Sequence, residues 1–470
     1  MTTSSLPLTT GSHSFPKPLT IALLLASSIV ITSCSSSRLD PRTSPADMPD
    51  APESNSTSSG ASDPAAANAA VMARIRQLVP TVSRLRELPA LGEIAGTTID
   101  RPAMLRLLTD QMHDQVPAEA VRGEGDFLSS FGFLPDQFDY EHAFMDMLES
   151  ELAGFYDPGR KTLFVMSDMV GAEAEVTLVH ELVHALQDQH YDIGSRLAYR
   201  PDSSDAVSAS QALAEGDATS AMLDYSFRGA GQQAFQISDS ELRFSLTSSM
   251  VMSPTMSSAP RIMRDSLVAP YVDGILFVHA LRRMGGWRMV DEAWRNPPTT
   301  TSQLLHVEKW RAHQPAVTVS VPVEPPGGSW VTVHTDVYGE QGLRIALEEW
   351  MPRSPAARAA AGWGGDRAVV WRNHDDGVTV AAWRIRFERA GSDGGAEAKE
   401  AFDLVSSFWD PAVRHGGTVC RKAGTAGIIA ITRLGRDVLL TAAPGSLDDK
   451  SPTGGCGRLG SWSSAVFAAP

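Results

Sequence analysis

The chain has 470 residues, 40 basic and 55 acidic, for a formal net charge of −15. A hydrophobic share of 43% excludes wholesale disorder and is enough for a sizeable core, in about three units at roughly 150 residues each. The acidic balance, with no basic tract, argues against nucleic acid as a partner, and three cysteines allow one disulfide but no disulfide scaffold.

At the N-terminus, Lys17 is the one Lys or Arg before a hydrophobic run over 19–31. That run is well short of the ~20 residues that span a bilayer, and it fits the core of a secretory signal. It ends in Ile31-Thr32-Ser33-Cys34, which resembles a bacterial lipoprotein signal. The resemblance implies a signal region over 1–34, lipidation of Cys34, and a mature protein exported to the cell envelope and lipid-anchored to a membrane. Residues 35–70 are mostly Ser, Pro, Ala, Asp and Asn, a composition that predicts a disordered tether. Export places the remaining pair, Cys420 and Cys456, in an oxidising compartment, so a Cys420–Cys456 bridge is expected.

Ordered pattern begins near Val71, with an amphipathic helix over 71–88 interrupted at Pro80 and a second helix over 101–112. Phe144, Met147, Leu148 and Leu152 recur at helical spacing over 139–152. Residues 154–156 and 161–166 read as two strands joined by the turn Asp157-Pro158-Gly159-Arg160. Helices are predicted over 173–189, over 205–226 in a run of small residues, and over 271–284, stopping at Gly285-Gly286. After a proline-rich stretch over 315–327 come strands over 369–371, 378–388, 418–420, 427–432 and 437–442, with a helix over 395–408. The fold class is therefore α+β: a first unit over 71–314, then a smaller α+β domain over 328–470. Trp363, Trp371, Trp383 and Trp409 are assigned to the core of the second unit.

The chemistry concentrates in His180-Glu181-Leu182-Val183-His184, an HExxH motif. At about 100° per residue, Thr177, His180, Glu181, His184 and Asp188 share one narrow arc, and apolar residues cover the rest of the helix. Such a helix is buried, and a buried strip holding two histidines and a carboxylate must be satisfied by something. Zn2+ would do so, with the i, i+4 imidazoles as two ligands and Glu181 placed to act as general base on an activated water. For a third ligand, His190 has metzincin spacing, but Gln187 stands where that motif needs glycine. Glu215, alone in Leu213-Ala214-Glu215-Gly216-Asp217-Ala218-Thr219, is the stronger choice, and Gly216 beside it signals close approach of a neighbouring element.

The segment 180–189, HELVHALQDQ, followed by LAEGDAT over 213–219, resembles the gluzincin zinc metallopeptidases, in particular the peptidase-MA-like bacterial proteins. Gly154-Phe155-Tyr156-Asp157-Pro158 upstream, and Pro270-Tyr271, Gly274 and Gly285-Gly286-Trp287 downstream, extend the likeness over about 137–310. The resemblance implies a zincin-like catalytic domain with His180, His184 and Glu215 as ligands, hydrolysing peptide bonds in a peptide or protein substrate. It also implies Tyr271 as a donor to the oxyanion. Asp188, Thr219 or Asp217 would hold the free ring nitrogen of a ligand histidine, and the strand over 161–166 would offer a sheet edge to substrate. The alternative is an envelope lipoprotein that keeps the zincin fold as a binding or assembly module with little turnover.

Overall fold

A computed structural model describes residues 64–169, 171–250, 254–388, 395–425, 427–449 and 454–469. Cys34 and the tether up to residue 63 lie outside the described residues. Residues 64–70, expected in the tether, are helical instead, as the first turns of the helix Pro64–Arg86. Alanine dominates those positions and is the strongest helix former. Pro80 lies inside this helix without ending it.

A small sheet comes next, built from β1 (Ala95–Ile99), β2 (Gly154–Asp157) and β3 (Thr162–Met166) in the order β1-β3-β2. The predicted hairpin is β2 and β3, paired antiparallel. Its second strand is not an edge: β1 pairs with β3 in parallel, so the strand expected to meet a substrate is central. β1 went unpredicted, as did the helix Ala118–Ser130, whose Gly123 and Gly125 obscure its pattern.

Three long helices form the centre of the helical body. The HExxH helix is Gly171–Tyr191, the glutamate helix is Ser204–Phe227, and the third, Arg261–Gly285, contains Tyr271. The third helix starts well before the predicted position, with Pro270 in its interior. Proline removes one internal hydrogen bond there and more often marks a helix start, hence the misplaced boundary. The glutamate and Tyr271 helices cross backbone to backbone. A Cβ on Gly274 would lie 1.9 Å from the Ala212 carbonyl oxygen, and one on Gly216 would lie 2.2 Å from the Gly274 carbonyl. The close approach expected at Gly216 is thus a glycine–glycine crossing.

The second sheet is antiparallel throughout, in the order β4-β5-β6-β10-β9-β8-β7. Its strands are β4 (Trp330–Asp336), β5 (Trp363–Asn373), β6 (Thr379–Phe387), β7 (Val413–His415), β8 (Thr418–Ala423), β9 (Gly427–Leu434) and β10 (Asp437–Pro444). Side chains alternate between two cores, as strand geometry requires. Val369, Trp371, Val380, Ala382 and Leu439 pack under the C-terminal helix Gly455–Ala468, against Leu459 and Trp462. Cys420 and Cys456 form a disulfide that ties this helix to β8. Ala368, Val370, Trp383, Ile385 and Leu440 face the other way, into a core that continues from Ile75 in the first helix to Ala442. The units expected over 71–314 and 328–470 therefore share one hydrophobic core. Trp363, Trp371, Trp383 and Trp409 are all buried.

Gly274→Ala should destabilise the protein although alanine favours helix by about 1 kcal/mol. The new methyl meets backbone atoms that cannot move independently, and such overpacking costs about 1–3 kcal/mol or more, which outweighs that gain at so short a contact. A thermal unfolding midpoint equal to or above that of the wild type would refute the crossing.

Candidate functional site

The HExxH helix presents its polar strip inward, and His180, Glu181, His184 and Asp188 are all buried. Glu215 reaches the same point from the glutamate helix, itself buried. The Nε2 atoms of His180 and His184 are 3.1 Å apart, and Glu215 Oε2 lies 3.2 Å from the first and 3.5 Å from the second. These three residues form the one group of metal-ligating side chains that could hold an ion among the described residues. His190 is not part of it. It sits at the end of the helix, with Nε2 2.7 Å from the Pro89 carbonyl oxygen.

Charge and burial act against each other at the cluster. Burial disfavours the Glu215 carboxylate, but His184 and His180 outweigh it and hold the carboxyl down at about 2. Burial likewise opposes protonation of His184, yet the Glu215 carboxylate raises it to about 9. His180 is pushed down by burial, despite its bond to Glu215. The cluster thus carries a carboxylate that stays ionised and one imidazole that is readily neutral.

The other expected residues divide. Tyr271 does belong to the site: its ring stacks on His180 with centroids 6.3 Å apart. Burial, and then the Glu215 and Glu181 charges, push its hydroxyl well above its ordinary pKa, so it remains a proton donor. Asp188 does not hold a ligand histidine. It accepts from the Tyr156 hydroxyl at 2.8 Å and from Lys161 Nζ at 2.5 Å, both from the hairpin below. Thr219 does not either, its buried Oγ1 having no hydrogen-bond partner among the described residues. Asp217 is taken by Arg86 and by Trp294 Nε1, the latter at 2.8 Å.

Gln187 fills the role that those residues do not. Its Oε1 lies 2.8 Å from His184 Nδ1, and its Nε2 donates to the Ala214 carbonyl at 3.0 Å. It therefore fixes which imidazole nitrogen faces Glu215 and ties the two helices together beside the ligands. Spacing was a usable signal, since a residue three after His184 returns to the same face of the helix. Glu181 is held from the other side: its Oε2 accepts the Tyr156 backbone N–H of β2 at 2.8 Å.

A cavity of about 330 Å³ begins one turn away along two of the helices. Gln211 and Leu267, four residues before Glu215 and Tyr271, are part of its wall.

A family model described as Domain of unknown function (DUF8575) matches residues 329–450. That segment runs from just before β4 to just beyond β10 and contains none of the cluster residues. No curated protein and no solved structure matches the chain.

Arg86 and Asp217 are fully buried opposite charges directly behind the glutamate helix, with Arg86 also 2.8 Å from Asp291. Arg86→Met would leave the buried Asp217 with Trp294 Nε1 as its remaining donor, and should cost about 3–5 kcal/mol in chemical denaturation. A loss under 1 kcal/mol would show that the pair does not support that helix.

Proposed function

We propose that the protein is a zinc-dependent metallopeptidase of the gluzincin type, with His180, His184 and Glu215 as ligands. The observation that carries this reading is the mutual spacing of the three donor atoms, 3.1, 3.2 and 3.5 Å. Tetrahedral ligands about 2.0–2.1 Å from zinc lie about 3.3–3.4 Å from one another, so the cluster fits the ion without rearrangement. The donor chemistry fits as well: two imidazoles and an ionised carboxylate make three protein ligands, leaving a fourth position for substrate or water. Zinc held there would supply Lewis acidity that polarises a carbonyl and makes water acidic near pH 7.

The chain's own residues account for the remaining steps. Glu181, adjacent to the first ligand and steadied by the Tyr156 N–H, takes a proton from the attacking water and passes it to the leaving amine nitrogen. The peptide C–N bond breaks, and water ends as a hydroxyl on the new carboxyl and a proton on the amine. Tyr271, kept protonated by burial and the neighbouring carboxylates, donates to the oxygen on which negative charge develops. Gln187 holds His184 in the tautomer that turns Nε2 toward Glu215.

We further propose, on the N-terminal resemblance, that the protein is exported and lipid-anchored through Cys34. The zincin-like fold is part of the same reading, supported by the HExxH helix, the glutamate helix and the hairpin beneath them. No described helix is long and apolar enough to cross a membrane.

One observation favours the second reading, a binding or assembly module with little turnover. His180, Glu181, His184, Glu215 and Tyr271 are all buried, His180 the most accessible at 4%. A peptide must therefore gain access by movement of the covering elements. Glu181→Gln decides between the readings when zinc content and hydrolysis of a fluorogenic peptide library are measured together. The peptidase reading predicts hydrolysis reduced about 10²–10⁴-fold with zinc content unchanged. A zinc-loaded wild type that cleaves no peptide, or a variant as active as the wild type, would reject it.

A further inference from the structure

The cavity of about 330 Å³ lies where the helical body meets the second sheet, the kind of junction at which small-molecule sites form. Phe127, Leu148, Met263, Leu267, Ile345 and Trp383 supply much of an apolar wall. The charged lining residues are three carboxylates, Glu124, Glu141 and Asp336, together with His334, and the lining contains neither lysine nor arginine.

Two of the carboxylates are already engaged. Glu141 lies 2.7 Å from His113 Nε2. Asp336 accepts from the Ser204 hydroxyl and backbone N–H, and from the Val337 N–H. Glu124 differs. Its Oε2 accepts the Tyr338 hydroxyl at 2.7 Å, and the Tyr338 oxygen lies 3.0 Å from His334 Nε2. Among the described residues no donor reaches Glu124 Oε1, and a quarter of the side-chain surface (26%) is open. Because Tyr338 donates to Glu124, the hydroxyl oxygen is left to accept from His334. With that tautomer of His334, both donors of the relay serve Glu124, whose side chain lines the cavity.

Among the described residues the nearest basic partner printed for Glu124 is His334, with Nε2 3.6 Å from Oε2. Burial pushes His334 down to about 4, so the imidazole is neutral at pH 7. A carboxyl facing an apolar space without a counter-charge is costly in its ionised form, and burial accordingly drives Glu124 up to about 7.

We propose that this cavity binds a cationic amphiphile, an apolar chain or ring ending in an ammonium group that pairs with Glu124 Oε1. The apolar wall would take the hydrocarbon body, the open carboxylate oxygen would take the charge, and a carboxylate-headed molecule such as a fatty acid would be repelled. Trp383, Tyr338 and Asp336 belong to the segment matched as a domain of unknown function, while Glu124 and Ser208 belong to the helical body. The ligand would thus bridge the two parts of the molecule. Binding needs neither the metal cluster nor turnover, so the proposal stands or falls apart from the peptidase reading.

Isothermal titration of the full chain with octylamine, 1-octanol and octanoate, each below its micelle concentration, tests it. Octylamine should bind at least tenfold more tightly than octanol, and octanoate more weakly than either. Glu124→Gln, nearly isosteric, should bring octylamine down to the octanol level while leaving octanol unchanged. Ser208→Trp, which fills the cavity from the glutamate helix, should remove both. Absence of binding by all three probes, equal affinity for octylamine and octanol, preference for octanoate, or an ammonium preference that survives Glu124→Gln would each overturn the proposal.

Discussion

The backbone contact between Gly216 and Gly274 is the constraint on which the rest of the centre depends. With no side chain at either position, the glutamate helix and the Tyr271 helix approach until Gly274 stands against the Ala212 carbonyl. Glu215, adjacent to the first glycine, and Tyr271, three residues before the second, are brought to the same depth as the His180 and His184 rings. Wider separation would move a carboxylate and a phenol out of reach of the histidines. Buried polar groups would then be left without partners, at about 1–3 kcal/mol or more each. The crossing, rather than the histidine motif alone, turns the polar strip of one helix into a cluster.

Around that crossing, charges are neutralised in separate compartments. Arg86 and Trp294 take Asp217, Arg344 and Gln341 take Asp273, and Tyr156 with Lys161 takes Asp188. Each removes a nearby carboxylate from competition for the histidines, so Glu215 meets His180 and His184 as their principal acidic partner. Asp273 and Gln341 also join the Tyr271 helix to the helix Gly339–Glu348 that follows β4, which is one reason the second sheet shares its core with the helical body.

Much of this was legible in the sequence where a local pattern carried it. The single polar arc from Thr177 to Asp188 marked a buried helix with something to hold, and the small residues around Glu215 marked a close crossing. The hairpin was readable from Asp157-Pro158-Gly159 between two apolar runs, and the Cys420–Cys456 pair from the resemblance that assigns Cys34 to a lipid and implies export. What escaped depended on partners distant in the chain. Asp188 lies on the correct face to serve a histidine, but Lys161 and Tyr156 claim it from the hairpin. Gln187 stands in the sequence where a metzincin needs glycine, and nothing local beyond its spacing marks it as the residue that holds His184. Pro270 concealed the first turns of its helix, and β1 is recognisable only once β3 is there to pair with it. The continuity of the core from Ile75 to Ala442 is likewise a product of assembly, since the alternating residues of β5 and β6 do not reveal which core each face meets.

In the proposed function, His180, His184 and Glu215 together hold one metal ion. Elemental analysis of the purified protein, beside Glu215→Ala and His190→Ala, tests it most directly. About one zinc per chain is expected in the wild type, lost with Glu215→Ala and retained with His190→Ala. Zinc retained by Glu215→Ala but lost with His190→Ala, or a folded wild type that takes up no zinc when it is offered, would contradict it.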